Sequence, residues 1–574
     1  MTAKGALPEL AAVADLIGSS TVDGVRVLLA HREGPITAGL FFRVGRADES
    51  LATSGITHLV EHLALFAQNT GDVHHNGETG DFYTHFHVTG TEAQVVSFMN
   101  AVCASLRDLP ISRAETEKEI LRTEAARSQR GMAALNRHER FGATGMGLVA
   151  HNEVGLSALT SEQVLEWART RFTSANAVVW ITSDELPVGL DLRLSEGVAR
   201  PVEIGPEIVS EKPAYLVGAQ GGVLIEAFVP RSSASTVFAR MAGKALFRAL
   251  RQEGGYSYTA TCDYEPIDAS TARVGLYADA LPEQQAAVIG GMIDVLAALR
   301  AGTVDGEDLA SAREANRQLL DVPALGAAVL PSAALSVLVG KTIAHPTLVL
   351  EDDMAVTAAD IAAVADTVWR DALAQIPEGG LEWAGFHLAP RWSTTTVSGE
   401  SYPRFYEPGT HLIIGDAGVS LVAPMGTVTV LFIECAGYVT VPDGGRRIVG
   451  LDGFSIPIEP TLHAGLSAEV VTALDARIAA DTVIPFSARK PDDIPMPVAP
   501  VKPRGFGIWS ILLGASVLVL ALSLYRSTYT DGAPTASGEI SARLAWACVS
   551  LLVGGFLLWG GIRRIRWLGR NSKR

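Results

Sequence analysis

Residues 55–67 read GITHLVEHLALFA, and the reading of the whole chain follows from that run. It holds no proline, and its apolar residues recur at helical spacing. As a helix it places His58 and His62 one turn apart on a single face, so that two imidazoles converge on one point. Glu61 precedes the second histidine by one residue and lies near the same face. There a carboxylate can take a proton from water activated by a metal ion. The pattern points to a metal site built for hydrolysis.

Working outward, residues 24–46 form two apolar bursts around Gly34-Pro35, which predicts two adjacent strands. After the histidine run, residues 76–90, NGETGDFYTHFHVTG, read as a turn and a strand. Thr84, Phe86 and Val88 fall on one face of it, and His85 and His87 on the other. His74 and His75 fall just before it, in a stretch read as a surface loop. A helix is expected over 94–109. Ser112 with Glu115 then makes a capping box for a second helix that ends before Gly131. On that second helix Glu117 and Glu124 stand seven residues apart, hence within about 20° of each other around the axis. Either could face the metal, and two histidines with one glutamate form an established catalytic set that leaves a position for water. A helix over 160–171 and a strand over 177–182 close the first half.

The second half repeats the order. A strand at GGVLIEAFVP, a helix over 234–251, strands at YSYTATCDYE and TARVGLYADA, and a helix over 282–301 follow in turn. We read a duplicated α+β unit in which only the first copy carries His-x-x-Glu-His.

Composition narrows the function. The 574 residues are 48% hydrophobic and 19% charged, which suits several folded domains. The formal charge of −16, with no basic run before the C-terminal end, excludes a nucleic-acid partner. Four scattered cysteines, Cys103, Cys262, Cys435 and Cys548, offer neither a disulfide framework nor thiolate zinc, and fit a reducing compartment. Glu9 and Asp15 interrupt the apolar start, so it does not read as a secretory signal.

From 402 to 486 short apolar runs alternate with glycine-rich turns and end in a helix over 468–479, a small, mostly β domain. It weakly resembles bacterial pleckstrin-homology-like domains, which implies contact with a membrane or a partner. A proline-rich tether follows. Residues 506–525 and 544–562 carry no acid or base, with Trp509, Tyr525, Trp546 and Trp559 near their ends, and are expected to cross a bilayer as a hairpin. Basic residues outside both spans place both termini in the cytoplasm. The expected organisation is 1–200 and 201–390 for the two halves and 400–486 for the β domain. A linker over 487–505, the hairpin over 506–562 and a basic tail over 563–574 complete it.

His58, Glu61 and His62 in this setting resemble the inverzincin signature of the pitrilysin/insulinase family of zinc metallopeptidases, in its short, processing-peptidase-like form. The resemblance covers roughly residues 20–380. It implies one zinc ion per chain held by His58, His62 and Glu124, with Glu61 as general base and Glu117 as an acid supporting the site. Asn76, Thr79 and Thr84 are similar to the turn and strand whose edge pairs with an extended substrate. Arg251 and Tyr258, in LRQEGGYSY, resemble the pair that binds substrate and steadies charge on the scissile carbonyl. The segment between His62 and Glu124 is shorter than the family usually has. The resemblance further implies a homodimer in which Arg251 and Tyr258 complete the neighbour's site. The expected function is thus a membrane-anchored zinc endopeptidase acting on peptides or unfolded segments. The alternative is an inactive relative serving as a membrane-bound assembly or binding subunit.

Overall fold

The computed structural model describes residues 12–66, 74–127, 131–218, 221–499 and 506–530, together with Val549. It divides into two units, Met1–Pro495 and Met496–Arg574.

The first half is a six-stranded sheet with helices on one face. Its strands are β1 (Gly18–Val22), β2 (Val25–Leu29), β3 (Ile36–Phe42), β4 (His74–Thr79), β5 (Thr84–Gly90) and β6 (Ala177–Ile181), in the order β1-β2-β6-β3-β5-β4. Its helices are α1 (Ile56–Phe66), α2 (Glu92–Arg107), α3 (Ala114–Arg127) and α5 (Ser161–Arg171), while α4 (Met132–Phe141) packs toward the second half, with Phe141 on Phe228. The strands expected as neighbours, β2 and β3, are not adjacent. β6 lies between them, with Val179 opposite Val27 in parallel and opposite Leu40 in antiparallel pairing. All five residues of β6 are buried, and a run apolar on both faces belongs at the centre of a sheet. Leu59 and Leu63 of α1 pack with Phe42, Phe86 and Phe98 in one core. Each such side chain contributes about 1.5–3 kcal/mol of burial.

The second half repeats this plan. Its strands are β7 (Ala214–Val217), β8 (Gly222–Pro230), β9 (Ala260–Pro266), β10 (Thr271–Asp279), β11 (Leu373–Ile376) and β12 (His387–Leu388), ordered β12-β7-β11-β8-β10-β9. Its helices are α6 (Ser233–Leu246), α7 (Gln285–Arg300), α8 (Gly306–Leu320), α9 (Leu325–Leu338), α10 (Pro346–Ala355) and α11 (Ala358–Asp371). β7 pairs parallel with β11 as β2 does with β6, and β11-β8-β10-β9 follow antiparallel as β6-β3-β5-β4 do. The duplication is therefore topological. α6 follows β8 as α1 follows β3, and continues into a wider helical turn, Phe247–Glu253. α9 crosses to the first half and covers the other face of its sheet, packing on Leu28, Phe41, Val178 and Trp180.

A β-rich module follows. Strands β13 (Gly399–Pro403), β14 (His411–Gly415), β15 (Gly418–Ala423) and β16 (Gly426–Leu431) form one antiparallel sheet. Strands β17 (Cys435–Thr440), β18 (Arg446–Gly450), β19 (Ser455–Ile458) and β20 (Val483–Pro485) form another, with helix α12 (Ala468–Asp475) packed on both.

Helix α13 (Phe506–Thr530) belongs to the second unit. Among the described residues no helix is long and apolar enough to cross a membrane. This overturns the expected membrane localisation. The second expected span, 544–562, lies outside the described residues apart from Val549, as does the tail 563–574.

Candidate metal centre

Three segments far apart in sequence build the site. α1 supplies His58, Glu61 and His62; α3 supplies Glu117 and Glu124; the turn after α4 supplies Glu153. The start of α1 is fixed by Glu49, whose carboxylate accepts hydrogen bonds from the backbone N–H groups of Gly55 (2.8 Å) and Thr57 (2.9 Å). Gly55 enters the helix at φ +93°, a conformation that suits glycine.

His58 and His62 stand with ring centres 4.9 Å apart and planes 86° apart. Nε2 of His58 lies 3.7 Å from Oε2 of Glu61, and both Nε2 atoms lie close to Oε2 of Glu124, at 3.9 Å from His58 and 3.8 Å from His62. His58, Glu61 and His62 form a set of possible ligand atoms within 4.8 Å of one another. Donors sharing one ion about 2 Å away lie roughly 3–4 Å apart, so two imidazoles and Glu124 fit a divalent metal.

The outer nitrogens are engaged as well. Nδ1 of His62 is 3.3 Å from Glu117, which Arg113 also holds at 3.1 Å. Nδ1 of His58 is 2.9 Å from Oε1 of Glu153. Carboxylates behind ligating histidines fix the tautomer that points the other nitrogen at a metal. Burial pulls the His58 imidazole down, but the hydrogen bond and charge of Glu153 outweigh it and hold the ring above its ordinary value. Burial pushes the Glu61 carboxyl above the usual carboxylate range, against the nearby histidines and the Thr79 hydroxyl, which donates to it at 3.1 Å.

Of the residues expected to meet substrate, Asn76 and Thr79 lie on β4, the free edge of the sheet, where a strand and not a turn is found. Asn76 is exposed, and Thr79 is buried against Glu61. Thr84 lies on β5, interior to the sheet, and its buried hydroxyl donates to Val44. His74 and His75 are in β4, not in a loop; His75 packs on the ring of Phe98. Arg251 and Tyr258 come together in the second half, with the guanidinium 4.6 Å from the ring centre and Tyr258 74% exposed. Among the described residues, no hydrogen bond or ion pair joins them to the histidine cluster. Sequence reasoning missed Glu153. It lies 95 residues from His58, and only the tight NEVG turn marks it locally.

Solved structures of low sequence identity share this architecture. A chain of complex III from Candida albicans, with Inz-5 bound, aligns with TM-score 0.53 and 16% identity over 62% of this chain and 94% of its own. Pitrilysin aligns with TM-score 0.50 and 14% identity, over 66% of this chain and 45% of pitrilysin. A peptidase M16 inactive domain from Pseudomonas fluorescens aligns with TM-score 0.52 and 12% identity, over 63% of this chain and 99% of that domain. The fold is the one these proteins share. It is a mixed α/β architecture resembling two M16 halves in tandem. No protein-family profile matches the sequence, and no curated protein matches it either.

Proposed function

We propose that the chain is a zinc-dependent endopeptidase of the pitrilysin/insulinase type, acting on extended peptides or unfolded segments. The observation that carries this reading is that Nε2 of both His58 and His62 lies within 3.9 Å of the Glu124 carboxylate, beside the buried Glu61. The likeness in fold cannot carry it alone, since one similar structure is an inactive domain.

In this reading His58, His62 and Glu124 hold the ion. A zinc ion supplies Lewis acidity toward water and toward the scissile carbonyl. Glu61 accepts the proton of the attacking water and returns it to the leaving nitrogen, as a general base and then a general acid. Thr79 orients the carboxylate through its 3.1 Å hydrogen bond. The free edge of β4 offers unpaired backbone groups to an extended substrate, leaving Asn76 at the exposed position. Arg251 and Tyr258 donate to the developing carbonyl charge, as cationic and phenolic groups do. We assign them to the neighbouring subunit's site in a homodimer.

Replacing Glu61 and Glu124 separately tests the assignment. Glu61→Gln keeps metal and loses nearly all turnover, whereas Glu124→Ala loses metal. Near-normal cleavage by either variant sinks the reading.

A further inference from the structure

The β-rich module is seated against the segments that hold the histidine helix. Leu51 and Ala52, just before α1, and Ala143 and Leu148, after α4, form one buried cluster with Ala436, Val449 and Ile484 of the module. Val154 and Val439 pack against its rim. The approach is close. A side chain at Gly437, beside a bulge in β17, would meet Leu51 at 2.8 Å, and one at Gly142 would meet the carbonyl of Leu451 at 2.1 Å. The backbone also joins the two bodies, Ala143 N–H donating to Leu451 at 3.0 Å.

Glu153 lies next to this contact. It heads the short turn Val154–Ser157 at φ +35°, a left-handed conformation that a non-glycine residue holds only when its surroundings impose it. Those surroundings are identifiable. Gly155 N–H donates to the buried Ser54 hydroxyl at 2.9 Å, and a Cβ on Gly155 would stand 2.4 Å from Ser54 N. A Cβ on Gly55 would stand 2.9 Å from Cβ of Glu153. The turn is thus clamped between the entry to α1 and strand β20 of the module, while its carboxylate reaches back to His58.

We propose that Glu153 is a positioning residue for His58 and that the β-rich module is a structural part of the metal centre, setting metal affinity by holding the Glu153 turn. The proposal rests on His58 being a metal ligand. Its consequence is that changes at the module interface, distant from every ligand, alter metal binding.

The test uses the full chain, with zinc affinity measured by competition with a chromophoric chelator and the ligand field read from the visible spectrum of the cobalt-substituted protein. Glu153→Ala weakens zinc by about 10–100-fold and shifts the cobalt bands, and Glu153→Gln, which keeps an acceptor for Nδ1–H, restores most of the affinity. Ile484→Ala, at the interface, weakens zinc by roughly threefold or more. Val471→Ala, a comparable truncation inside the module's own core, leaves affinity within about twofold. Val449→Ala replaces Ile484→Ala should the latter fail to fold. Wild-type affinity in Glu153→Ala overturns the positioning role. Equal effects of the interface and core truncations overturn the role of the module. A wild-type chain that binds no zinc overturns instead the metallopeptidase reading beneath both.

Discussion

Gly77 is the position where the smallest change should reach the chemistry. It lies on β4 between His75 and Thr79, facing α1. A methyl group there falls 2.3 Å from Oε1 of Glu61 and 2.7 Å from Cδ1 of Leu65. Ordinary contacts are roughly 3.5 Å, so something must yield by about 1 Å. The backbone of α1 is pinned by buried Leu59, Val60 and Leu63, which leaves the Glu61 carboxylate to move and to strain its bond from Thr79. Displacing a catalytic group by about 1 Å costs on the order of 100-fold in rate, and the added volume costs about 1–3 kcal/mol of stability. Gly77→Ala should therefore lower kcat about 100-fold with little change in KM. Zinc affinity should stay at the wild-type value, because the methyl approaches none of the three expected ligands. Steady-state cleavage of a quenched fluorescent peptide, with zinc measured by chelator competition, reads both. A kcat within about threefold of wild type would refute the claim that the edge strand positions the base.

Other outcomes follow from the same geometry. His85 is half-buried and stacked on Phe41, and desolvation lowers its pKa to about 3, so the folded state resists its protonation. Its contribution is full above the unfolded pKa near 6.5 and is lost as pH falls toward 3, about 2 kcal/mol between pH 8 and pH 5. His85→Phe should shrink the loss of stability over that interval by this amount in urea unfolding; parallel losses in variant and wild type count against a desolvated neutral imidazole. Mixing Glu61→Gln chains with Arg251→Ala chains should recover activity that neither has alone, and a mixture as inactive as its parts would remove the proposal of completion between subunits. Glu117→Ala should weaken zinc by about tenfold through His62, and an unchanged chelator competition curve would show that Glu117 does not support that ligand.

Much of the site was legible because it is local. His58, Glu61 and His62 lie on one helical turn, and the seven-residue spacing of Glu117 and Glu124 brings both toward that turn. The alternation of Thr84, Phe86 and Val88 with His85 and His87 likewise showed which face of β5 is core. What depends on distant pairing was not legible. Neighbouring apolar bursts suggested that β2 and β3 pair, whereas the fully apolar β6, some 140 residues later, takes the place between them. Glu153 acts through an αL turn held by packing, which no spacing rule reports. Residues 506–525 were read as a span from their length and freedom from charge, whereas no helix among the described residues is long and apolar enough to cross a membrane.

The most direct test of the central claim is zinc content measured together with cleavage of a quenched peptide library, on the purified full chain, wild type against Glu61→Gln. The account predicts about one zinc per chain in both proteins, with cleavage in the wild type alone. Equal cleavage by the two proteins, or a wild-type chain that holds no zinc, would contradict it.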